Sequence, residues 1–322
     1  MVVSCQILIN KPTSYHRPGQ PVNGVIKYAL NHPLEVYSVV LSLVGEGECS
    51  WTETESNGDK SESKTYYGTE RFFKESMNVV KKTGGVVTIP AGSYEVQFEF
   101  CFPKNIPPTF QNHTATISYK LLLKFKRPGL FQSNKKFSAE IPIRTWMESE
   151  PETPLVFGLE KKLTKLFSRK KPLINLKVMI AKTTLTPGET AHLDIVVTNN
   201  SNVTITAIKS EILRNITYTA DCGQKEYDDS VIQSSIIQST SIPGKSIVNL
   251  TQEMPVSSVI YTVRNSRILK VEFKLRVTLR LPMPHINAST EVPVLIIDKS
   301  DEYLGDEPPS YWQVMCEDEK GK

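Results

Sequence analysis

Val271-Glu272-Phe273-Lys274-Leu275-Arg276-Val277-Thr278-Leu279-Arg280-Leu281 alternates apolar and polar residues without a break. Period-two alternation sends successive side chains to opposite faces of a strand, so one face enters a core and the other stays wet. Two further stretches repeat the pattern: Tyr119, Leu121, Leu123 and Phe125 against Lys120, Lys124 and Lys126, and the run Tyr94, Val96, Phe98, Phe100 and Phe102. Turn formers stand between such runs, among them Arg17-Pro18-Gly19, Asn57-Gly58, Pro90-Ala91-Gly92, Pro187-Gly188 and Pro243-Gly244. Helical periodicity is almost absent. Many short strands with regular turns predict an all-β chain of antiparallel, immunoglobulin-like sandwiches.

The length, 322 residues, suits two domains at the usual ~100–200 residues each. Landmarks recur in the same order in the two halves: Pro18-Gly19, Val25-Ile26, Ile89-Pro90, Phe102-Pro103, the strand from Tyr119 and Ile141-Pro142-Ile143, then Pro187-Gly188, Ile195-Val196-Val197, Ile242-Pro243, Met254-Pro255, the strand from Val271 and Val292-Pro293-Val294. The later landmarks are offset by 151 to 153 positions and the first by 169, which places an extra excursion in the first half. The polar stretch 53–63 is the expected site, as a long exposed hairpin tip. The division is an N-terminal domain over 1–147, a linker over 148–172, a C-terminal domain over 173–298 and an acidic, disordered tail over 299–322. Chance likeness among β-rich segments would imitate part of the repeat.

The linker runs from acidic, proline-bearing residues into Leu159-Glu160-Lys161-Lys162-Leu163-Thr164-Lys165-Leu166-Phe167-Ser168-Arg169-Lys170-Lys171. Leu159, Leu163, Leu166 and Phe167 share a face at helical spacing. The cations Lys161, Lys162, Lys165, Arg169, Lys170 and Lys171 flank them, a pattern that fits an anionic membrane surface. A linker whose leucines tuck against a domain edge is the plainer alternative.

The net charge of +4 hides an asymmetry: the last 25 residues carry eight acids against three lysines. Five widely spaced cysteines read as free thiols in a reducing cytosol, and the N-terminus lacks the pattern of a signal peptide. Catalytic patterns are missing. The five histidines stand singly, with no Cys-x-x-Cys, phosphate loop, dinucleotide loop or nucleophile elbow, so neither an enzyme nor a cofactor is expected. Nucleic-acid binding is disfavoured because the basic excess is small and no reading element appears.

In the tail the chain reads Asp306-Glu307-Pro308-Pro309-Ser310-Tyr311-Trp312. Adjacent prolines hold the backbone in polyproline II before any partner arrives, so little ordering entropy remains to be lost on binding. Pro-Pro-x-Tyr is the ligand pattern of WW domains, whose groove takes the proline rings and whose second pocket takes the tyrosine. Pro308, Pro309 and Tyr311 are the candidate WW-binding residues. The other proline pair, Pro107-Pro108-Thr109-Phe110, has Phe where Tyr is needed.

The stretch Ile89-Pro90-Ala91-Gly92-Ser93-Tyr94-Glu95-Val96-Gln97-Phe98-Glu99-Phe100-Cys101-Phe102-Pro103, with Pro107 to Phe110 and Tyr119 to Pro128 after it, resembles the corresponding run of the α-arrestins, the arrestin domain-containing proteins. Leu185-Thr186-Pro187-Gly188-Glu189-Thr190 and the following Val196-Val197-Thr198-Asn199-Asn200-Ser201 are similar to the opening of that family's second domain. The resemblance implies two tandem arrestin-type β-sandwiches and a cytosolic adaptor. Such an adaptor brings a HECT-type ubiquitin ligase of the Nedd4 class to the cytosolic tails of membrane proteins for endocytic sorting, peripherally at the plasma membrane or endosomes. Family tails often hold two Pro-Pro-x-Tyr motifs and are usually longer, whereas this chain ends 11 residues after Tyr311, so recruitment through one motif lacks the avidity of two. A thioredoxin-pairing cysteine known in the family would fall near Ser239 to Ile242, where none occurs. Cargo is expected at two cationic faces on equivalent strands, Lys120, Lys124 and Lys126 and then Lys274, Arg276 and Arg280, which suit acidic or phosphorylated tails. An ordinary solvated sheet face accounts for the same cations. The alternative function is a ligase-independent arrestin-like scaffold of the retromer-subunit type.

Overall fold

The structure, a computed structural model, describes residues 2–10, 15–57, 60–80, 84–128, 134–144, 146–147, 153–163, 172–237 and 241–299. Strands of the first half are β1 (Val2–Ile9), β2 (Pro21–Leu30), β3 (Leu34–Val36), β4 (Ser38–Asn57), β5 (Lys60–Val80), β6 (Val87–Ile89), β7 (Gly92–Cys101), β8 (Phe110–Gln111), β9 (Ala115–Lys126), β10 (Lys135–Glu140) and β11 (Trp146–Met147). The second half has β12 (Leu155–Lys162), β13 (Leu173–Ile180), β14 (Thr184–Leu185), β15 (Thr190–Asn199), β16 (Ala207–Thr219), β17 (Lys225–Ile237), β18 (Ser246–Pro255), β19 (Leu269–Arg280), β20 (Ala288–Ile296) and β21 (Asp298–Lys299). Among the described residues there is no helix long and apolar enough to cross a membrane.

Each half is a two-sheet sandwich. In the first, β1-β2-β7 faces β10-β9-β4-β5; in the second, β12-β13-β15-β18 faces β14-β20-β19-β16-β17. The orders β1-β2-β7 and β13-β15-β18 match, as do β10-β9-β4-β5 and β20-β19-β16-β17, so the repeated landmarks reflect one topology built twice. The extra excursion is the β4–β5 hairpin, whose strands have 20 and 21 residues where β16 and β17 have 13 each. Its register with β9 stops at the Cys49–Ala115 pair, while β4 and β5 stay paired with each other out to Asn57 and Lys60.

Alternation in the sequence becomes alternation in burial. Along β9, Ala115, Ile117, Tyr119, Leu121, Leu123 and Phe125 are buried and the residues between them are not; β19 repeats this from Leu269 to Leu279. Burying each large apolar side chain stabilises the fold by roughly 1.5–3 kcal/mol. Tyr119 lies among the rings of Phe72, Phe73 and Phe102, with centroids 6.0–6.1 Å away, and its hydroxyl donates to the Pro107 carbonyl. Pro107 and Pro108 are themselves buried, so this second proline pair is a core element and not an accessible ligand.

The second domain has a polar hub where the sequence shows Thr198-Asn199-Asn200-Ser201. Asn199 is fully buried; its Nδ2 donates to the carbonyls of Val203 (2.8 Å), Pro243 (3.1 Å) and Ile242 (3.3 Å), and its Oδ1 accepts from Ser201 Oγ at 2.6 Å. One side chain thus ties the loop after β15 to the loop before β18.

The segment read as linker needs correction. Residues 155–162 are neither connector nor helix: β12 pairs antiparallel with β13 over its full length, Leu155 opposite Ile180 and Lys162 opposite Leu173. Phe157 and Leu159 pack against the core, and Leu163 just beyond is 2% exposed. The spacing of Leu159 and Leu163 fits a helix, but so short a helix is marginal in water, whereas the strand completes a ladder on an existing sheet edge. The second sandwich therefore begins before residue 173, and among the described residues β12 has no counterpart in the first. Leu166 and Phe167 lie outside the described residues.

Candidate functional site

The two cationic faces fall where the repeat requires, on β9 and on β19. Their electrostatics differ from plain stripes. Lys120 forms an ion pair with Glu46 of β4 and lies opposite Glu140 of β10. This pair borders a polar cavity of about 370 Å³ whose wall also carries Glu48, Glu70 and Arg71, so its signs are mixed. On β19, Lys274 Nζ (3.6 Å) and Arg276 Nη2 (2.6 Å) share Glu291 of β20. Among the described residues Lys124, Lys126 and Arg280 have no ion pair. Lys124 stands directly opposite Lys136 of β10, an arrangement that is destabilising between neighbouring strands unless something neutralises it. Net positive charge is therefore concentrated at the C-terminal end of β9.

The two sandwiches meet at a seam that no sequence pattern announces. Glu70 of β5 accepts from Ser266 Oγ (2.8 Å) and from the backbone N–H of Arg267 (2.7 Å). Arg267 Nη2 donates in return to the Thr69 carbonyl (2.6 Å) and to Asp221 Oδ1 (2.8 Å), while the Asp221 carboxylate accepts from the Thr69 N–H at 3.2 Å. The Arg267 guanidinium and the Thr69 N–H together hold the Asp221 carboxyl below its ordinary range. Gly68 permits this approach, because a Cβ there would lie 2.5 Å from the Thr219 carbonyl and 2.9 Å from Cys49 Sγ. Asn112 Nδ2 donates to the Tyr218 hydroxyl (2.6 Å), and the Tyr261 hydroxyl donates to the Thr109 carbonyl (2.6 Å). Charged groups from three distant segments make this cluster, and no local spacing relates them.

The last described residues leave the second sandwich at the same seam. β21 pairs in parallel with β11 of the first half, Asp298 beside Trp146 and Lys299 beside Met147. Arg144 Nη1 adds an ion pair to Asp298 at 3.7 Å and stacks over the Tyr15 ring at 4.7 Å. Pro308, Pro309 and Tyr311 lie outside the described residues, as do Lys165, Arg169, Lys170 and Lys171. Lys161 and Lys162 are on β12, as part of a strand and not of an amphipathic helix.

Among the described residues no cluster of three His, Cys, Asp or Glu is placed to hold a metal. Cys5, Cys49, Cys101 and Cys222 are free thiols, and burial pushes Cys5 up to about 11.

Comparison with known proteins accounts for both sandwiches. Residues 5–145 match the family described as arrestin (or S-antigen), N-terminal domain, and residues 170–300 match arrestin (or S-antigen), C-terminal domain. The chain is 26% identical over 302 residues to arrestin domain-containing protein 17 of Caenorhabditis elegans, covering 88% of this chain and 70% of the relative. It is 25% identical over 313 residues to arrestin domain-containing protein 5 of Bos taurus, covering 92% and 91%. Human arrestin domain-containing protein 1 is similar at 21% identity over 267 residues, 75% of this chain and 58% of that one.

Proposed function

The chain belongs to the α-arrestin, or arrestin domain-containing, family, and from that premise we propose that it is a non-enzymatic adaptor which recruits a WW-domain HECT ubiquitin ligase of the Nedd4 class to membrane-protein cargo. The observation that carries the reading is Pro308-Pro309-Ser310-Tyr311, separated by only eight residues from the end of β21. Eight extended residues span at most about 30 Å, so a bound WW domain stays close to the seam where the tail departs. Prolines that pre-set the backbone and a tyrosine at the required position supply the recognition chemistry. The cations Lys124 and Lys126, which have no ion pair among the described residues, with Lys136 beside them, are the part of the expected cargo face best suited to acidic or phosphorylated cytosolic tails. Peripheral association with the plasma membrane or endosomes follows from such cargo.

A fluorescence titration of the peptide spanning 301–320 against WW domains tests the hook, with Tyr311→Ala as control. Saturable binding by the first peptide and loss with the second is the expected result. Equal binding by both removes the ligase mechanism and leaves a ligase-independent scaffold, whose partners are retained when residues 300–322 are deleted.

A further inference from the structure

We propose that the end of the second sandwich remote from the seam is a docking face for an anionic lipid bilayer, with Met283 and Ile286 inserted among the lipids and Lys162, Lys245 and Arg280 set against the headgroups. Such contact requires neither cargo, tail nor ligase.

Strand registers define this end. Asn199, the last residue of β15, lies opposite both Ile174 at the start of β13 and Ser246 at the start of β18, and Lys162 closes β12 opposite Leu173. In the other sheet Ala207 lies opposite Arg280, and Leu279 opposite Ala288. The loops between these strand ends are bound to one another. The Thr206 N–H donates to the Arg280 carbonyl (2.9 Å), Lys245 Nζ to the Asn200 carbonyl (2.5 Å) and the Leu163 N–H to the Pro172 carbonyl (3.0 Å). β16 runs from Ala207 here to Thr219 at the seam, a span of roughly 40 Å, so the first sandwich leaves this face uncovered.

The stretches that form the end, 161–175, 199–210, 241–247 and 277–290, hold nine lysines and arginines and no Asp or Glu. Four of the nine, Lys165, Arg169, Lys170 and Lys171, belong to the connection 164–171, which starts and finishes here. Lys162, Lys245 and Arg280 have no ion pair among the described residues. On β12, β16 and β20 the first acids inward, Glu160, Glu211 and Glu291, are already engaged by Asn175 (3.5 Å), Lys209 (2.5 Å) and Arg276 (2.7 Å). The positive charge of this end is therefore left for something outside the chain.

At its centre the β19–β20 loop reads Leu281-Pro282-Met283-Pro284-His285-Ile286-Asn287, and Met283 is 92% and Ile286 78% exposed. The loop is not slack. The His285 N–H donates to the Pro282 carbonyl (3.0 Å), Asn287 Oδ1 accepts from the Leu281 N–H (2.9 Å), and two prolines fix their own φ. An ordered loop that holds two large apolar side chains in water, rimmed by uncompensated cations, matches the boundary between acyl chains and anionic headgroups. The cations are spread over several segments around the loop, as a surface of many headgroups requires. A pair of inserted side chains is marginal as an anchor, and so is a handful of cations, so both components are needed.

The test is co-sedimentation of the full chain with protein-free vesicles of phosphatidylcholine, with and without about 30% phosphatidylserine. The wild type is compared with Met283→Ser combined with Ile286→Ser, and with Lys162→Gln combined with Arg280→Gln, and thermal melts verify that both variants are folded. The expected result is saturable binding to the anionic vesicles alone, weakened roughly tenfold or more by either variant. Amide exchange of the wild type should slow over residues 281–287 when anionic vesicles are added. Binding no tighter to anionic than to neutral vesicles, exchange unchanged over 281–287, or a serine variant that binds like the wild type overturns the face. So does loss of binding in Lys124→Gln combined with Lys126→Gln while the other two variants bind normally, because the first sandwich then meets the lipid. A wild-type dimer that the serine variant dissociates also overturns it, since a second copy then covers the loop. The vesicles carry no protein, so failure here leaves ligase recruitment and cargo recognition standing.

Discussion

Single residues in this protein are constrained mostly by what lies across the domain boundary or across a loop. Gly68 is the clearest case, since any Cβ would collide with the Thr219 carbonyl of the other sandwich. Gly68→Ala should therefore loosen the seam while leaving each sandwich folded, seen as faster amide exchange at Thr69 and Asp221 with little change elsewhere. Asn199 holds three carbonyls and a serine by itself. Replacing it with Ala strands several buried groups at ~1–3 kcal/mol apiece, so a loss of about 2–4 kcal/mol in the second domain's unfolding free energy is expected by denaturant titration. Cys5 is a chemical counterpart: with its thiol pushed up to about 11 by burial, little thiolate exists at neutral pH. It should alkylate with iodoacetamide far more slowly at pH 8 than the exposed Cys101 and Cys222, with its rate rising steeply toward pH 11. Mass spectrometry of the alkylated peptides decides this. None of these roles was legible beforehand, because a glycine, an asparagine and a cysteine carry no periodic signal.

Elements show where local pattern is sufficient and where it misleads. β9 and β19 were readable because strict alternation over a dozen residues admits only a strand with one buried face. β12 was not, since Leu159 and Leu163 suit a helix as well, and only the free edge of β13 makes the strand the better partner. Leu163, 2% exposed, then anchors that strand, and Leu163→Ala should cost about 2–5 kcal/mol in the second domain, measurable by the same titration. The distal part of the β4–β5 hairpin behaves oppositely. Among the described residues, its bonds outside the hairpin end at Glu53, and from Thr54 and Ser63 outward the two strands pair with each other, so replacing residues 54–63 by a two-residue Asn-Gly turn should leave the first domain's melting temperature within about 2 °C.

At the scale of the whole molecule, the central question is how firmly two similar sandwiches are held as one body. The seam depends on charge: Asp221 has its carboxyl lowered by Arg267 and Thr69, so its contribution is present above the ordinary carboxylate range and is lost as pH falls through its folded value. Small-angle scattering should show a broader interdomain distance distribution near pH 3 than at pH 7, and Arg267→Glu should produce the same broadening at neutral pH. An unchanged distribution in both cases would mean that Gly68 packing and the β11–β21 pairing suffice. By itself the sequence determined the all-β class, the duplication, the site of the long hairpin and the presence of Pro308-Pro309-Ser310-Tyr311, because each is written in local periodicity, turn chemistry or contiguous residues. Only the tertiary structure decided that β12 belongs to the second sandwich, that Lys120, Lys274 and Arg276 are partly neutralised by Glu46 and Glu291, and that Glu70, Asp221 and Arg267 form a seam. These depend on which strands become neighbours, and pairing between residues far apart in the chain leaves no mark in the spacing of either partner.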